Sequence, residues 1–348
     1  MKIVKSMLVV ALLAGYAGAE SIQKESGWSG SILLGGGYGE YKNSEILGTR
    51  TMDFEVKKIS DLGSPPSESA IFPILLGVIR YTLDDKKTEI FVDNVTDDFS
   101  AMQTSAGLGV RHDLGDVGIV GLRLFKSSTP TKVWEDPLLR NQNRASTEQT
   151  FSGIGIKWER VMGSSFEIEI QSRKVELDTD SNAQSLVSAG LAGTLTGDNG
   201  SYYITQSEQQ LLRRSANMNS AKLLFIYPLN ANNFLIPTLK LTTNDSDGNA
   251  RDYINSEIGI THFYGSQRWS IGTSIQASSS TYSKENPVFQ KKQDTTYLSA
   301  GVDATYKNIF GLDHWSLNAA AYAFSGNSNI DFYDSSLWAT SLGVVYTF

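Results

Sequence analysis

Residues 338–348 read Trp338-Ala339-Thr340-Ser341-Leu342-Gly343-Val344-Val345-Tyr346-Thr347-Phe348. Trp338, Leu342, Val344, Tyr346 and Phe348 share one parity, with Thr340 among them. Ala339, Ser341, Gly343 and Thr347 share the other, which is small or polar apart from Val345. A strand sends successive side chains to opposite faces, so this segment has one large apolar face and one small face. A tilted strand of about 9–11 residues crosses the hydrocarbon core of a bilayer. The segment fits a membrane-spanning strand whose large face meets lipid.

Outward from this segment, the period of two recurs. About fourteen alternating segments are legible by the period-two test. They fall at 28–40, 72–83, 88–93, 105–112, 117–126, 151–160, 165–176, 221–227, 234–243, 253–264, 268–279, 296–307, 314–324 and 337–348. The segment 88–93 is the weakest. The connections alternate in length. Those at 84–87, 113–116, 161–164, 228–233, 265–267 and 308–313 are short, and most have turn compositions. Those at 41–71, 94–104, 127–150, 177–220, 244–252, 280–295 and 325–336 are longer. Loop length sorted by parity is the pattern of a transmembrane antiparallel β-barrel with short periplasmic turns and long extracellular loops. The expected fold is therefore an all-β barrel of about 14 strands with both termini on the periplasmic side.

The N-terminus agrees. Lys2 and Lys5 precede an apolar run at 7–14, and Ala17-Gly18-Ala19 is a small-residue cleavage site before Glu20. Residues 1–19 read as a secretory signal peptide, which leaves 20–348 as a single outer-membrane β-barrel domain. Nothing later supplies about 18 consecutive apolar residues, so no spanning helix is expected. The sequence contains no cysteine, which excludes a disulfide framework, a thiolate metal site and a Cys nucleophile. The net charge is −7 and no basic tract exists, so nucleic acid is not an expected partner. No cofactor is expected.

Parity assigns faces. Ile154, Ile156, Trp158, Phe166, Ile168, Ile170, Trp269, Ile271, Ile275, Leu298, Val302, Tyr306 and Leu317 are lipid-facing candidates. Lys157, Glu159, Glu167, Glu169, Arg173, Glu257 and Asp303 fall on the opposite face, and Arg80, Arg111 and Arg123 point inward by the same parity. A charge on the lipid face near mid-membrane costs about 2–4 kcal/mol, so inward is where these ten belong. They are the pore-lining candidates. Either they pair with one another across a closed lumen or they line a wet pore.

The longest loop, 177–220, has order of its own. Leu186, Ala189 and Leu191 have helix-like spacing, and Ser207-Glu208-Gln209-Gln210 has a capping-box pattern before Leu211. Loops of this length are usually functional or disordered. Inward folding as a constriction is one reading; a surface loop or lid is the other.

Residues 338–348 also resemble the C-terminal strand of bacterial outer-membrane barrels, where the last Phe belongs to the signal read by the barrel assembly machinery. Phe348 stands at that place. Three loop segments carry a more specific resemblance. They are Val133-Trp134-Glu135-Asp136-Pro137, Asn286-Pro287-Val288-Phe289, and Asn329-Ile330-Asp331-Phe332-Tyr333-Asp334-Ser335-Ser336 followed by Trp338 and Ser341-Leu342-Gly343-Val344. The first strand adds a weaker match. The set resembles an uncharacterised proteobacterial outer-membrane β-barrel family, catalogued only as a domain of unknown function. It spans most of the mature chain, with no match between 177 and 264. The resemblance implies a bacterial outer-membrane location, with lipid and lipopolysaccharide around the wall. It implies no substrate and no catalytic residue.

These motifs put Trp134, Glu135, Asp136, Glu285, Asp331 and Asp334 on the extracellular rim. Hard cations favour clustered carboxylates, but solvated loop acids are the simpler reading and no metal is assigned. Asn244-Asp245-Ser246-Asp247-Gly248 resembles part of a calcium loop but lacks the first acidic ligand and the distal Glu, so it reads as a turn. His112, His262 and His314 lie at strand ends beside short turns, hence periplasmic. No Gly-x-Ser-x-Gly or His-Glu-x-x-His occurs, and no catalytic residue is assigned. Only a short segment precedes the first strand, so no plug domain is expected. The expected function is a passive or substrate-selective channel for small solutes. An adhesin or structural barrel acting through its long loops is the alternative, and a barrel enzyme ranks third.

Overall fold

The alternation becomes a wall of fourteen antiparallel strands. A computed structural model describes residues 22–348 apart from Lys24, Asp53, Glu55 and Phe99. The expected signal segment 1–19 lies outside the described residues. The strands are β1 (Gly27–Lys42), β2 (Ser67–Thr82), β3 (Thr88–Asp98), β4 (Gln103–Asp113), β5 (Ile119–Thr129), β6 (Ser146–Glu159) and β7 (Phe166–Leu177), then β8 (Ala216–Phe225), β9 (Asn233–Ser246), β10 (Tyr253–Gly265), β11 (Trp269–Asn286), β12 (Lys291–Lys307), β13 (Trp315–Ser328) and β14 (Ser335–Thr347). The last strand closes on the first, from Ser31 opposite Thr347 to Lys42 opposite Ser336. Closure leaves no free edge at this join. Gly35 faces Gly343 here, and a Cβ at Gly35 would lie 2.4 Å from the Leu342 carbonyl oxygen, so this close approach requires glycine.

The outer surface carries the apolar parity. Leu34, Ile156, Ile275, Leu298 and Leu342 are all exposed. Aromatic pairs bound this band. Trp28–Tyr81, Trp269–Tyr306 and Trp315–Tyr346 stand near the periplasmic ends, and Tyr38–Trp338 marks the other side. From Trp28 to Tyr38 the strand rises about 33 Å along its axis, or about 25 Å once tilted, which matches the apolar band of such barrels. The protein is an outer-membrane β-barrel.

The strands run further outward than the alternation predicted. The connections expected at 280–295 and 325–336 shrink to tight turns at 287–290 and 329–334, and the one at 94–104 shrinks to 99–102. Above the membrane both faces meet water, so hydroxyl-rich stretches such as Ser278-Ser279-Ser280-Thr281 carry no apolar contrast for parity to detect. The segments 43–66, 130–145 and 178–215 remain long.

These long loops and the outer turns pack into a cap with its own apolar core of Leu62, Leu138, Leu186, Ile204, Leu212, Val288 and Phe332. A short strand, Ile46–Thr49, pairs with Thr131–Trp134, which links the chain leaving β1 to the connection between β5 and β6. Within the longest loop, the helix-like stretch at 185–195 is not a helix. It begins inside a 3-10 turn, Gln184–Leu186, and then forms isolated bridges from Val187 to Ile204 and from Leu195 to Tyr202. The capping box is shifted: Thr205, not Ser207, caps the helix Gln206–Gln210, and Glu208 reaches back to the Thr205 N–H. Thr205 takes the extended backbone that an N-cap needs, whereas Ser207 is already helical.

Candidate functional site

Inside the wall lies a cavity of about 1270 Å³, lined by nine of the ten inward candidates: Arg80, Arg111, Arg123, Lys157, Glu159, Glu169, Arg173, Glu257 and Asp303. The tenth, Glu167, is buried beside Lys157 at 3.1 Å. The charges are arranged along the wall, between neighbouring strands. Near the periplasmic ends Arg80 meets Glu89 at 3.4 Å, Glu89 meets Arg111 at 3.5 Å, and Arg111 meets Glu159 at 3.5 Å. Arg111 reaches past β5 because Gly121 intervenes there; a Cβ at Gly121 would lie 3.0 Å from the Arg111 Cγ.

The same device recurs higher up. Arg123 donates Nε to Asp93 Oδ2 at 2.9 Å and Nη2 to Asp93 Oδ1 at 2.8 Å, spanning β4 at Gly107. A Cβ at Gly107 would come 2.4 Å from the Arg123 Nε. Such a forked pair fixes the guanidinium in one orientation. Further round, Glu169 is opposite Lys222, Lys222 opposite Lys240, and Lys240 opposite Glu257. Arg173 donates to Gln103 at 3.0 Å and lies over the Phe151 ring. Asp303 stands on the other wall and accepts from Asn318 Nδ2 at 2.7 Å.

The lumen also has an apolar stripe that parity alone did not reveal. Phe72, Ile74, Leu76 and Val78 of β2 all line the cavity, and Leu76 packs with Leu33 and Val345. A signal was available: 71–79 reads Ile-Phe-Pro-Ile-Leu-Leu-Gly-Val-Ile, with no polar residue on either parity. Strands apolar on both faces read as continuous runs.

The rim candidates do not converge on a ligand site. Trp134 and Asp136 are buried in the cap rather than displayed. The Asp136 carboxylate accepts backbone N–H bonds from Leu138, Ala183 and Ser185, so it stitches two loops together. The Arg144 guanidinium lies 4.2 Å over the Trp134 ring, and burial pulls its pKa down to about 10. Glu135 gives its carbonyl to Arg214, which also pairs with Asp180 at 2.9 Å. Asp334 accepts from Ser64 Oγ at 2.9 Å and from the Ser328 N–H at 3.0 Å. Glu285 and Asp331 are exposed. Among the described residues no group of three metal-ligating side chains forms.

The loop that enters the mouth is 43–66, not the longer one. Its Met52 and Phe54 pack with Tyr41, Phe72, Met102, Phe324 and Leu337 in a cluster that includes cavity-lining residues. Its Glu45 pairs with Arg251 at 2.7 Å, and Arg251 sits 5.1 Å from the Tyr333 ring centroid. The loop 178–215 instead spans the cap, where the Tyr202 N–H donates to the Val288 carbonyl at 2.7 Å. The three histidines have local partners: His112 with Thr88, His262 with Asn233, and His314 with the Thr347 carbonyl.

The family described as "Protein of unknown function (DUF2860)" matches residues 27–347, from β1 to β14. The chain belongs to the DUF2860 family. No curated protein matches its sequence. This DUF2860 barrel is similar to several solved outer-membrane structures. A FadL homologue of Pseudomonas aeruginosa is 12% identical, with 92% of this chain and 90% of that one covered and a TM-score of 0.44. A bacterial polysaccharide outer membrane secretin is 9% identical over 91% and 98%, with a TM-score of 0.45. The outer membrane channel DcaP of Acinetobacter baumannii is 8% identical over 95% and 100%, with a TM-score of 0.43.

Proposed function

We propose that the barrel is a passive or substrate-selective channel for small solutes. The observation that carries this reading is the cavity of about 1270 Å³ inside a fourteen-strand wall whose charged side chains pair along the wall. Nine basic and nine acidic side chains line it among the described residues, so the lumen favours neither sign of ion strongly. Reconstitution in planar bilayers tests the reading. Discrete conductance steps with weak ion selectivity are expected. A folded, heat-modifiable barrel that never conducts overturns it.

A second reading rests on the cap. Its separate apolar core holds the outer loops in one rigid surface, which suits an adhesin or a structural barrel. Deleting 185–212 separates the two. Raised conductance favours a gated channel, whereas unchanged conductance with lost surface binding favours the adhesin.

The environment we assign is outer-membrane lipid and lipopolysaccharide, with assembly through the terminal strand. Phe348 and Gly30 exchange two backbone hydrogen bonds at 3.0 and 3.1 Å, so the last residue is paired to β1. That pairing fits a terminal strand recognised by the barrel assembly machinery before closure.

A further inference from the structure

The ladder between β2 and β3 stops halfway up the wall. It runs from Thr82 opposite Glu89 only as far as Gly77 opposite Asn94. Yet β2 stays paired with β1 up to Ser67, and β3 stays paired with β4 up to Asp98. Above Gly77 no strand of the described residues pairs with this edge of β2. Asn94 marks the end of the ladder, donating Nδ2 to the Leu75 carbonyl at 2.7 Å. Leu75 therefore turns its backbone groups toward β3. Pro73, two residues away, shares that orientation and has no N–H to present. Proline inside a sheet is confined to edges of this kind.

The hairpin of β3 and β4 leaves β2 because its tip leans into the barrel. Tyr41 Oη donates to the Ser100 carbonyl at 2.9 Å, and Met102 is buried among Tyr41, Phe54 and Phe72. Ile71 is opposite Tyr38, a residue of the outer aromatic girdle. The stretch 71–76, laddered to β1 but not to β3, thus lies in the outer half of the membrane band and is about 15 Å tall after tilt. An open sheet edge is not tolerated against lipid tails; it is tolerated where it lines a cavity. Phe72, Pro73, Ile74 and Leu75 all border the lumen cavity along this edge.

We propose that the seam between β2 and β3 is a lateral opening, through which an amphipathic molecule with an apolar tail passes between the lumen and the outer leaflet. The inference rests on the channel reading and adds a route and a substrate class to it. The stripe Phe72, Ile74, Leu76 and Val78 leads from the opening to Arg80, which is paired with Glu89. A tail lies along the stripe while a polar head meets the charged wall.

The native chain has no cysteine, so an engineered pair is unambiguous. Leu75→Cys with Thr96→Cys occupies the positions that would face each other if the ladder continued. Ile79→Cys with Val92→Cys, in register within the ladder, is the control. In proteoliposomes, entry of a dansylated undecanoate probe from the lipid is followed by fluorescence, and arabinose flux by vesicle swelling. Oxidation of the seam pair is expected to lower the ratio of probe entry to arabinose flux at least tenfold, reversibly with reductant, and oxidation of the control pair is expected to leave it unmoved. An unchanged ratio with the cross-link confirmed by mass overturns the opening. If the seam pair resists oxidation while the control pair closes, Leu76→Asp decides: at least tenfold slower probe entry supports the opening, and unaltered entry overturns it. Probe entry that responds to the cross-link in vesicles with no arabinose flux would refute the solute channel and leave the lateral opening standing.

Discussion

Two parts of the same wall behave differently. Between β11 and β12 the ladder extends from Trp269 opposite Tyr306 to Asn286 opposite Lys291, well above the membrane. Between β2 and β3 it ends at Gly77 opposite Asn94. The inner face of β11 is made of small polar groups such as Ser274, Gln276, Ser278 and Ser280, which leave the backbone free to pair. The inner face of β2 is apolar, and its edge carries Pro73. A missing ladder inside a membrane is costly unless each exposed backbone group is met or removed. Asn94 meets one such group and Pro73 removes another. The seam is thus built into the sequence rather than being a frayed end.

The largest expected effect is on amide exchange. Ile71 and Leu75 should exchange at least about 1000-fold faster than Ile260 and Ile275, because their N–H groups face the side where the ladder to β3 has ended, whereas Ile260 and Ile275 have paired strands on both sides. Hydrogen exchange read by mass spectrometry in vesicles checks this, and equal protection would erase the distinction between the two walls. Next come proline substitutions. Ile275→Pro should destabilise the barrel by several kcal/mol, since proline in a paired strand removes a ladder bond and leaves a carbonyl unmet in the membrane wall. Pro73→Val should cost less, about 1–3 kcal/mol, because it returns one unmet N–H to the open edge. Urea unfolding midpoints compare the two.

A smaller effect follows from Arg123→Ala on the β3–β5 side, which strips Asp93 of its forked partner. Cation preference should rise about twofold as the lumen becomes net negative. Reversal potentials under a salt gradient measure it. The smallest effect is at the turn below the seam. Asp85 there accepts from the Thr88 hydroxyl and from two backbone N–H groups, which holds its pKa down to about 2. A depressed carboxylate stabilises the fold above its ordinary range near 4 and loses that contribution as pH falls toward 2. Asp85→Asn should therefore flatten the acid limb of stability slightly, read from midpoints between pH 2 and 5.

Much of the barrel was legible because lipid enforces parity. Ile154, Ile156, Ile275 and Leu298 face out as their spacing predicts, and Arg80, Lys157 and Glu257 face in. The weakest segment by alternation, 88–93, proved to be the strand beside the incomplete ladder. The cap was less legible. Trp134 and Asp136 looked like rim display and are instead buried structural residues, since loops that pack on one another obey neither period. Nothing local marks Met52 and Phe54 as partners of Phe72 and Phe324, because that contact depends on where the chain crosses the mouth.

The sequence by itself determined the solvent, a count of about fourteen strands and the facing of those with one polar parity, because each of these follows from period-two chemistry read against a bilayer. Only the tertiary structure decided which charges pair, that loop 43–66 enters the mouth, and that β2 and β3 separate. Those depend on contacts between residues far apart in the chain. Asn94 reaching Leu75 and Arg123 reaching Asp93 across Gly107 exist only once neighbouring strands have been set in register.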